Sequence, residues 1–112
     1  MNQKVWMIKH KPTGLYYRDD SKTTNLSESR GTIYQKKPTL ESTVGNLVMY
    51  GRLKVEGEIA EEYGLKVKFD EGYKTYVIVD CDYYGEIFEI EEFELVKVGE
   101  RLGLMRKDPI VV

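Results

Sequence analysis

A chain of 112 residues with 41% apolar side chains is long enough for one modest core, and its Trp6, three Phe and nine Tyr exclude a disordered chain. No apolar run is long enough to span a bilayer, the N-terminus does not read as a secretory signal, and the single cysteine, Cys81, excludes an internal disulfide, which fits a reducing cytoplasm. The net charge of −2 conceals a split, because residues 1–54 hold ten Lys or Arg against four acids while residues 55–112 hold seven against fifteen, which points to a charged partner for one half or to two faces that complement each other.

Residues 5–9, Val-Trp-Met-Ile-Lys, are β-branched and aromatic and predict a strand. Lys11-Pro12-Thr13-Gly14 has Pro and Gly where a type I turn wants them, so residues 15–18 are expected to return as the second arm of a hairpin. Residues 19–31 then show no period, and Leu26 is their one sizeable apolar side chain. Such a stretch is long for a connector, and it reads either as a functional loop or as a solvated insertion. Residues 32–35 predict a short strand, closed by Lys36-Lys37-Pro38.

Thr39 suits a helix N-cap, Leu40, Val44, Leu47 and Val48 recur at helical spacing, and Gly51 sits where a left-handed C-terminal residue is wanted. Residues 53–63 are ambiguous between helix and strand: Val55, Ile59 and Tyr63 lie four apart, and Gly64 would end such a helix. From Leu65 the period becomes two, with Leu65, Val67 and Phe69 alternating with Lys66 and Lys68. Asp70-Glu71-Gly72 predicts a tight turn, and residues 73–81 a central strand, apolar on both faces around Val77 and Ile78. A further turn at residues 82–85 leads into residues 86–98. There Phe88 and Ile90 share one parity and Phe93 and Leu95 the other, which predicts a bulge near Glu91-Glu92. The tail adds an edge strand. These elements predict a single α+β domain over residues 1–112, a mainly antiparallel sheet with one or two helices packed on one face.

Few residues point to catalysis. His10, the single histidine, lies between Lys9 and Lys11, which favour its neutral form, and is expected at the surface beside the turn, where it can touch a phosphate. No nucleophile elbow accompanies it. Cys81 lies between Asp80 and Asp82, which disfavour the thiolate, and zinc would need ligands the chain lacks, so a small buried side chain in a central strand is expected. Asp80, Asp82, Glu86, Glu89, Glu91, Glu92 and Glu94 crowd seven carboxylates into fifteen residues. Mg²⁺ binding and acid–base work use such groups. Alternation instead sets most of them on a solvated face, available as an acidic docking surface that imitates nucleic acid. No cofactor and no metal are expected.

The basic half mixes cations with aromatics: Lys9, His10, Lys11, Tyr16, Tyr17, Arg18, Arg30, Tyr34, Lys36 and Lys37. Cations neutralise phosphate and tyrosine rings stack on bases, so a nucleotide or nucleic acid suits this surface. The slightly acidic whole, with pI about 5.5, and the absence of a phosphate-cradling glycine loop weigh against it.

Trp6-x-Ile8-Lys9, Lys11-x-x-Gly14-x-Tyr16-Tyr17, Asn25-Leu26-Ser27, Gly31-x-Ile33-Tyr34 and Lys37-Pro38-x-Leu40 resemble small bacteriophage-encoded proteins of unassigned function. The resemblance covers the N-terminal third and carries no site residues. It implies a protein that modifies or inhibits host machinery, immune systems included, in the cytoplasm of an infected cell. The leading expectation is therefore a non-enzymatic binding protein that occupies a host protein or a signalling ligand. Its contact surface is either the basic–aromatic one or the acidic one (Asp82, Glu86, Glu89, Glu91, Glu92 and Glu94), and exposed edge strands would allow self-association. A nucleotide or nucleic-acid binder is the second expectation, and a small carboxylate-based hydrolase the third.

Overall fold

Alternation along residues 3–10 builds β1 (Gln3–His10), with Val5 and Met7 buried on one face and Ile8 and His10 on the other. The computed structural model describes residues 3–19, 24–28, 31–79, 83–98 and 101–106. The chain reverses at residues 11–14, where Gly14 takes a φ of 74° and its N–H donates to the His10 carbonyl at 2.7 Å. The return arm is β2 (Tyr16–Tyr17), paired with β1 through Lys9 and Tyr16. The patternless stretch holds a further strand, β3 (Leu26–Ser27), paired with β2. Its anchor is Leu26, which is fully buried, so tertiary burial supplies the order that periodicity lacks. Gly31 then crosses the hairpin so closely that a Cβ there would lie 2.4 Å from the Tyr17 carbonyl oxygen. The strand expected at residues 32–35 shrinks to one bridge, Trp6 with Tyr34, held by bonds of 2.9 and 2.8 Å.

A π-helical stretch (Glu41–Gly45) runs into α1 (Asn46–Met49), and Val44 and Val48 are buried as their spacing predicts. Gly51 (φ 61°) ends the helix in the expected way: the Arg52 N–H donates to the Leu47 carbonyl at 2.8 Å. The ambiguous residues divide into β4 (Lys54–Val55) and α2 (Gly57–Tyr63), which buries Ile59 and Ala60. Gly64 (φ 63°) closes α2, with the Leu65 N–H on the Ala60 carbonyl at 2.9 Å. Then come β5 (Val67–Asp70) and β6 (Thr75–Ile78), joined by a turn in which Asp70 Oδ1 accepts the Tyr73 N–H at 3.0 Å. The second sheet has the antiparallel order β4-β6-β5, so β6 is central, as expected.

A short helix, α3 (Tyr84–Ile87), leads into β7 (Phe88–Val98) and then β8 (Arg101–Arg106). The first sheet has the order β3-β2-β1-β7-β8, antiparallel throughout. The bulge expected near Glu91-Glu92 is absent. β7 pairs β1 in unbroken register from Gln3 with Leu95 to His10 with Phe88. The parity change arises because β7 buries side chains on both faces. Phe88 enters the main core with Ile8, Tyr17, Leu26, Val55 and Ile78, whereas Phe93 joins Val5 and Met7 in a second cluster.

The main core therefore lies between the two sheets, α1 and α2. Asn25 ties the sheets at one edge: its backbone N–H donates to the Lys54 carbonyl, and its Oδ1 accepts the Lys54 N–H, both at 2.8 Å. The chain is thus α+β. Among the described residues no helix is long and apolar enough to cross a membrane.

Candidate functional site

Neighbouring strands bring the basic and the acidic candidates together. In the β1–β7 register Lys9 stands opposite Glu89, Trp6 opposite Glu92 and Lys4 opposite Glu94. Lys9 Nζ lies 3.2 Å from Glu91 Oε1 and 4.0 Å from Glu89 Oε1. The Tyr16 hydroxyl donates to Glu91 Oε2 at 3.0 Å. Glu91 is therefore neutralised and bonded inside the molecule, beside the Val5, Met7 and Phe93 cluster. Read from sequence, these were two separate surfaces; the register makes them complementary neighbours, and complementarity is the second of the two meanings the charge split allows.

Two basic–aromatic candidates leave the surface altogether. His10 was expected beside the turn in solvent, but residues 8 and 10 share the inward face of β1, so its ring is 2% exposed. Nδ1 lies 2.8 Å from Thr13 Oγ1, and the ring packs on Phe88 with centroids 5.3 Å apart. Burial, rather than the adjacent lysines, holds it neutral and lowers its pKa to about 4. Tyr17 is also buried, its ring edge-on to Phe88, and desolvation followed by the Asp19 charge pushes its pKa up to about 12. The same two causes raise Tyr34, whose hydroxyl donates to Asp19 Oδ2 at 3.4 Å. Lys11, Arg18, Lys36 and Lys37 are exposed, as is Glu86 on α3. Arg30 and Asp82, together with Asp80 and Cys81, lie outside the described residues. Among the described residues no group of three His, Cys, Asp or Glu could hold a metal ion.

The sequence reading missed an exposed aromatic surface on the second sheet. Alternation grouped Phe69 with Leu65 and Val67 on one face, yet Phe69 is 52% exposed. It pairs across the strands with Tyr76, 39% exposed, and their rings meet edge to face with centroids 5.4 Å apart. Val55, Tyr76 and Phe69 are consecutive partners across three strands, so this pair continues the core-facing side of the sheet. α2 covers Val55, but beyond it the face runs out from under the core. The Tyr76 ring reaches back over Gly57, whose missing side chain leaves it room: a Cβ there would stand 3.1 Å from the ring. The tight turn just after Phe69 was the available signal, since it sets Phe69 at a sheet end where little can cover it. Tyr73 is exposed nearby in sequence, with Lys54 Nζ 5.4 Å from its ring centre.

Clefts also open on the described surface. One, of about 390 Å³, lies between Arg18, Glu28 and the acidic side of α2 (Glu58 and Glu62). Another, of about 330 Å³, borders His10. Comparison with known protein families, with curated proteins and with solved structures found no match for this chain.

Proposed function

We propose that this chain is a non-enzymatic binding protein of phage type that inhibits or sequesters a host protein, and that the Phe69–Tyr76 face is its contact. The observation that carries the reading is the exposure of two large rings which pair with each other and continue the apolar face of a sheet. Aromatic side chains on a rigid sheet lose little entropy on docking and dominate interface energies. Internal neutralisation of Lys9 and Glu91 weighs against either charged surface as the main contact. Burial of His10 and Tyr17 weighs in the same way against base stacking and phosphate contact, although the exposed Lys11, Arg18, Lys36 and Lys37 still favour a nucleotide or nucleic acid as the second reading.

The test compares capture from host lysate by three forms of the protein: wild type, Phe69→Ser/Tyr76→Ser, and Lys9→Gln/Glu91→Gln. The aromatic double variant should stay folded with a modestly lowered melting temperature, because it loses one half-exposed ring pair and no fully buried side chain, and should lose the captured protein. The charge double variant should retain it. An aromatic double variant that captures the same protein as wild type would remove the reading, and capture lost only from the charge variant would return the contact to the β1–β7 face.

A further inference from the structure

A cleft of about 330 Å³ opens where the β1–β2 turn, the α2–β5 link and the end of β6 meet. Leu65, Ile78, Val79 and Ile87 form its apolar walls, Lys66 stands on its exposed side, and His10 lines it. That volume is at the lower end of the range of small-molecule sites, which combine apolar walls with a few placed polar groups.

The bonds around His10 decide which polar group it offers. Thr13 Oγ1 accepts the Leu15 N–H at 3.1 Å and lies 2.8 Å from His10 Nδ1. We assign the Thr13 hydroxyl proton to Nδ1, the ring nitrogen it faces. The ring proton of the neutral imidazole then sits on Nε2. No described residue bonds Nε2. Nor, among the described residues, is any side-chain nitrogen both sealed off and without a partner, so Nε2 opens onto the cleft. A ring that is 2% exposed thus turns one N–H donor into a mostly apolar space. A donor that opens onto such a space is matched by water or by an acceptor on a ligand.

We infer that this cleft binds a small, largely apolar molecule bearing a carboxylate, which accepts from His10 Nε2–H while its charge lies beside Lys66. A carboxylate suits the pair better than a neutral carbonyl, because an ionised acceptor makes the stronger bond and Lys66 sets a cation on the exposed side of the cleft. Burial keeps His10 neutral at ordinary pH, so the donor costs no buried positive charge before the ligand arrives. The site shares no residue with the Phe69–Tyr76 face, and neither reading depends on the other.

His10 is the only histidine, so its ring resonances report the site without background. Benzoate, titrated into the whole protein, should shift them saturably, with a dissociation constant on the order of 1 mM for so small a ligand. Toluene has the same ring and no acceptor, and should bind about tenfold more weakly, the scale of one hydrogen bond. His10→Phe keeps a ring in the core without the donor. In it, the Ile78 and Ile87 methyl signals should show benzoate binding no better than toluene. Lys66→Gln alters an exposed side chain, leaves the core intact, and should weaken benzoate about threefold while leaving toluene unchanged. The proposal is overturned if benzoate leaves the His10 ring unmoved up to its solubility, or if toluene matches it. It is equally overturned if the benzoate constant survives both substitutions.

Discussion

His10 shows how a residue's role is set by the parity of its strand rather than by its sequence neighbours. Lys9 and Lys11 flank it in the chain, but Lys9 points to the opposite face of β1 and pairs with Glu91, while His10 turns inward onto Phe88. Its folded pKa of about 4 lies below the ordinary 6.5 of an exposed histidine. Between those values the unfolded chain binds a proton that the folded chain refuses, so stability falls as pH drops through this window. The contribution is complete above about pH 6.5, declines steadily towards pH 4, and amounts to about 3 kcal/mol at most. Urea unfolding followed between pH 7 and 5, above the range where most carboxylates titrate, should show this slope. His10→Phe should flatten it, and an unchanged slope in that variant would assign the pH dependence elsewhere.

At the scale of elements, β7 separates two kinds of burial that its sequence presents as one irregular pattern. Phe88 is 1% exposed in the main core, with Ile8, Tyr17 and Leu26 around it. Phe93 is 6% exposed in a cluster whose other buried members are Val5 and Met7. Truncating a core Phe to Ala costs about 3–5 kcal/mol when the surroundings cannot collapse. Phe88→Ala should fall in that range, and Phe93→Ala should cost about half as much, since fewer buried side chains enclose it. Equal losses in chemical denaturation would mean that the two clusters act as one core. The same strand marks where the sequence stopped being legible. Gly51 and Gly64 announced their helix ends because a left-handed residue is a local demand that glycine meets by itself. The β1 hairpin was legible for the same reason, and β6 was recognised as central from its apolar centre. The straight register of β7 was not legible, because alternation was read as one buried face and nothing local says that the other face is covered too. Likewise β3 exists because Leu26 finds a core built by distant residues, and the pairing of Lys9 with Glu91 depends on strands from opposite ends of the chain. The charges of that pair were visible in sequence; their mutual neutralisation was not. The Phe69–Tyr76 face was hidden because exposure at a sheet end depends on where α2 stops covering it.

For the whole molecule, the question is how two sheets that share no strand hold one core between them, and the polar part of the answer is Asn25. Its side chain occupies the place a neighbouring strand would take: Oδ1 accepts the Lys54 N–H and Nδ2 donates to the Arg18 carbonyl, both at 2.8 Å. Its own backbone N–H returns a bond to the Lys54 carbonyl, so the edge of the first sheet is stitched to β4 in both directions. Asn25 is 2% exposed, and its removal strands a backbone donor on one sheet and a backbone acceptor on the other. Each partly buried orphan costs about 1–3 kcal/mol, so Asn25→Ala should destabilise the protein by about 2–4 kcal/mol. Asn25→Asp keeps the acceptor for Lys54 but sets a carboxylate oxygen against the Arg18 carbonyl, and it should recover little of the loss above pH 5. The midpoint of urea unfolding should fall without a change in slope if the sheets still unfold together. Hydrogen exchange locates the effect, because the Lys54 amide should lose protection first and by the largest factor, while amides in the centre of β1 follow only the global loss. Uniform loss of protection, or a cost below about 0.5 kcal/mol, would mean that apolar packing alone joins the sheets and that the Asn25 bonds merely fill the seam.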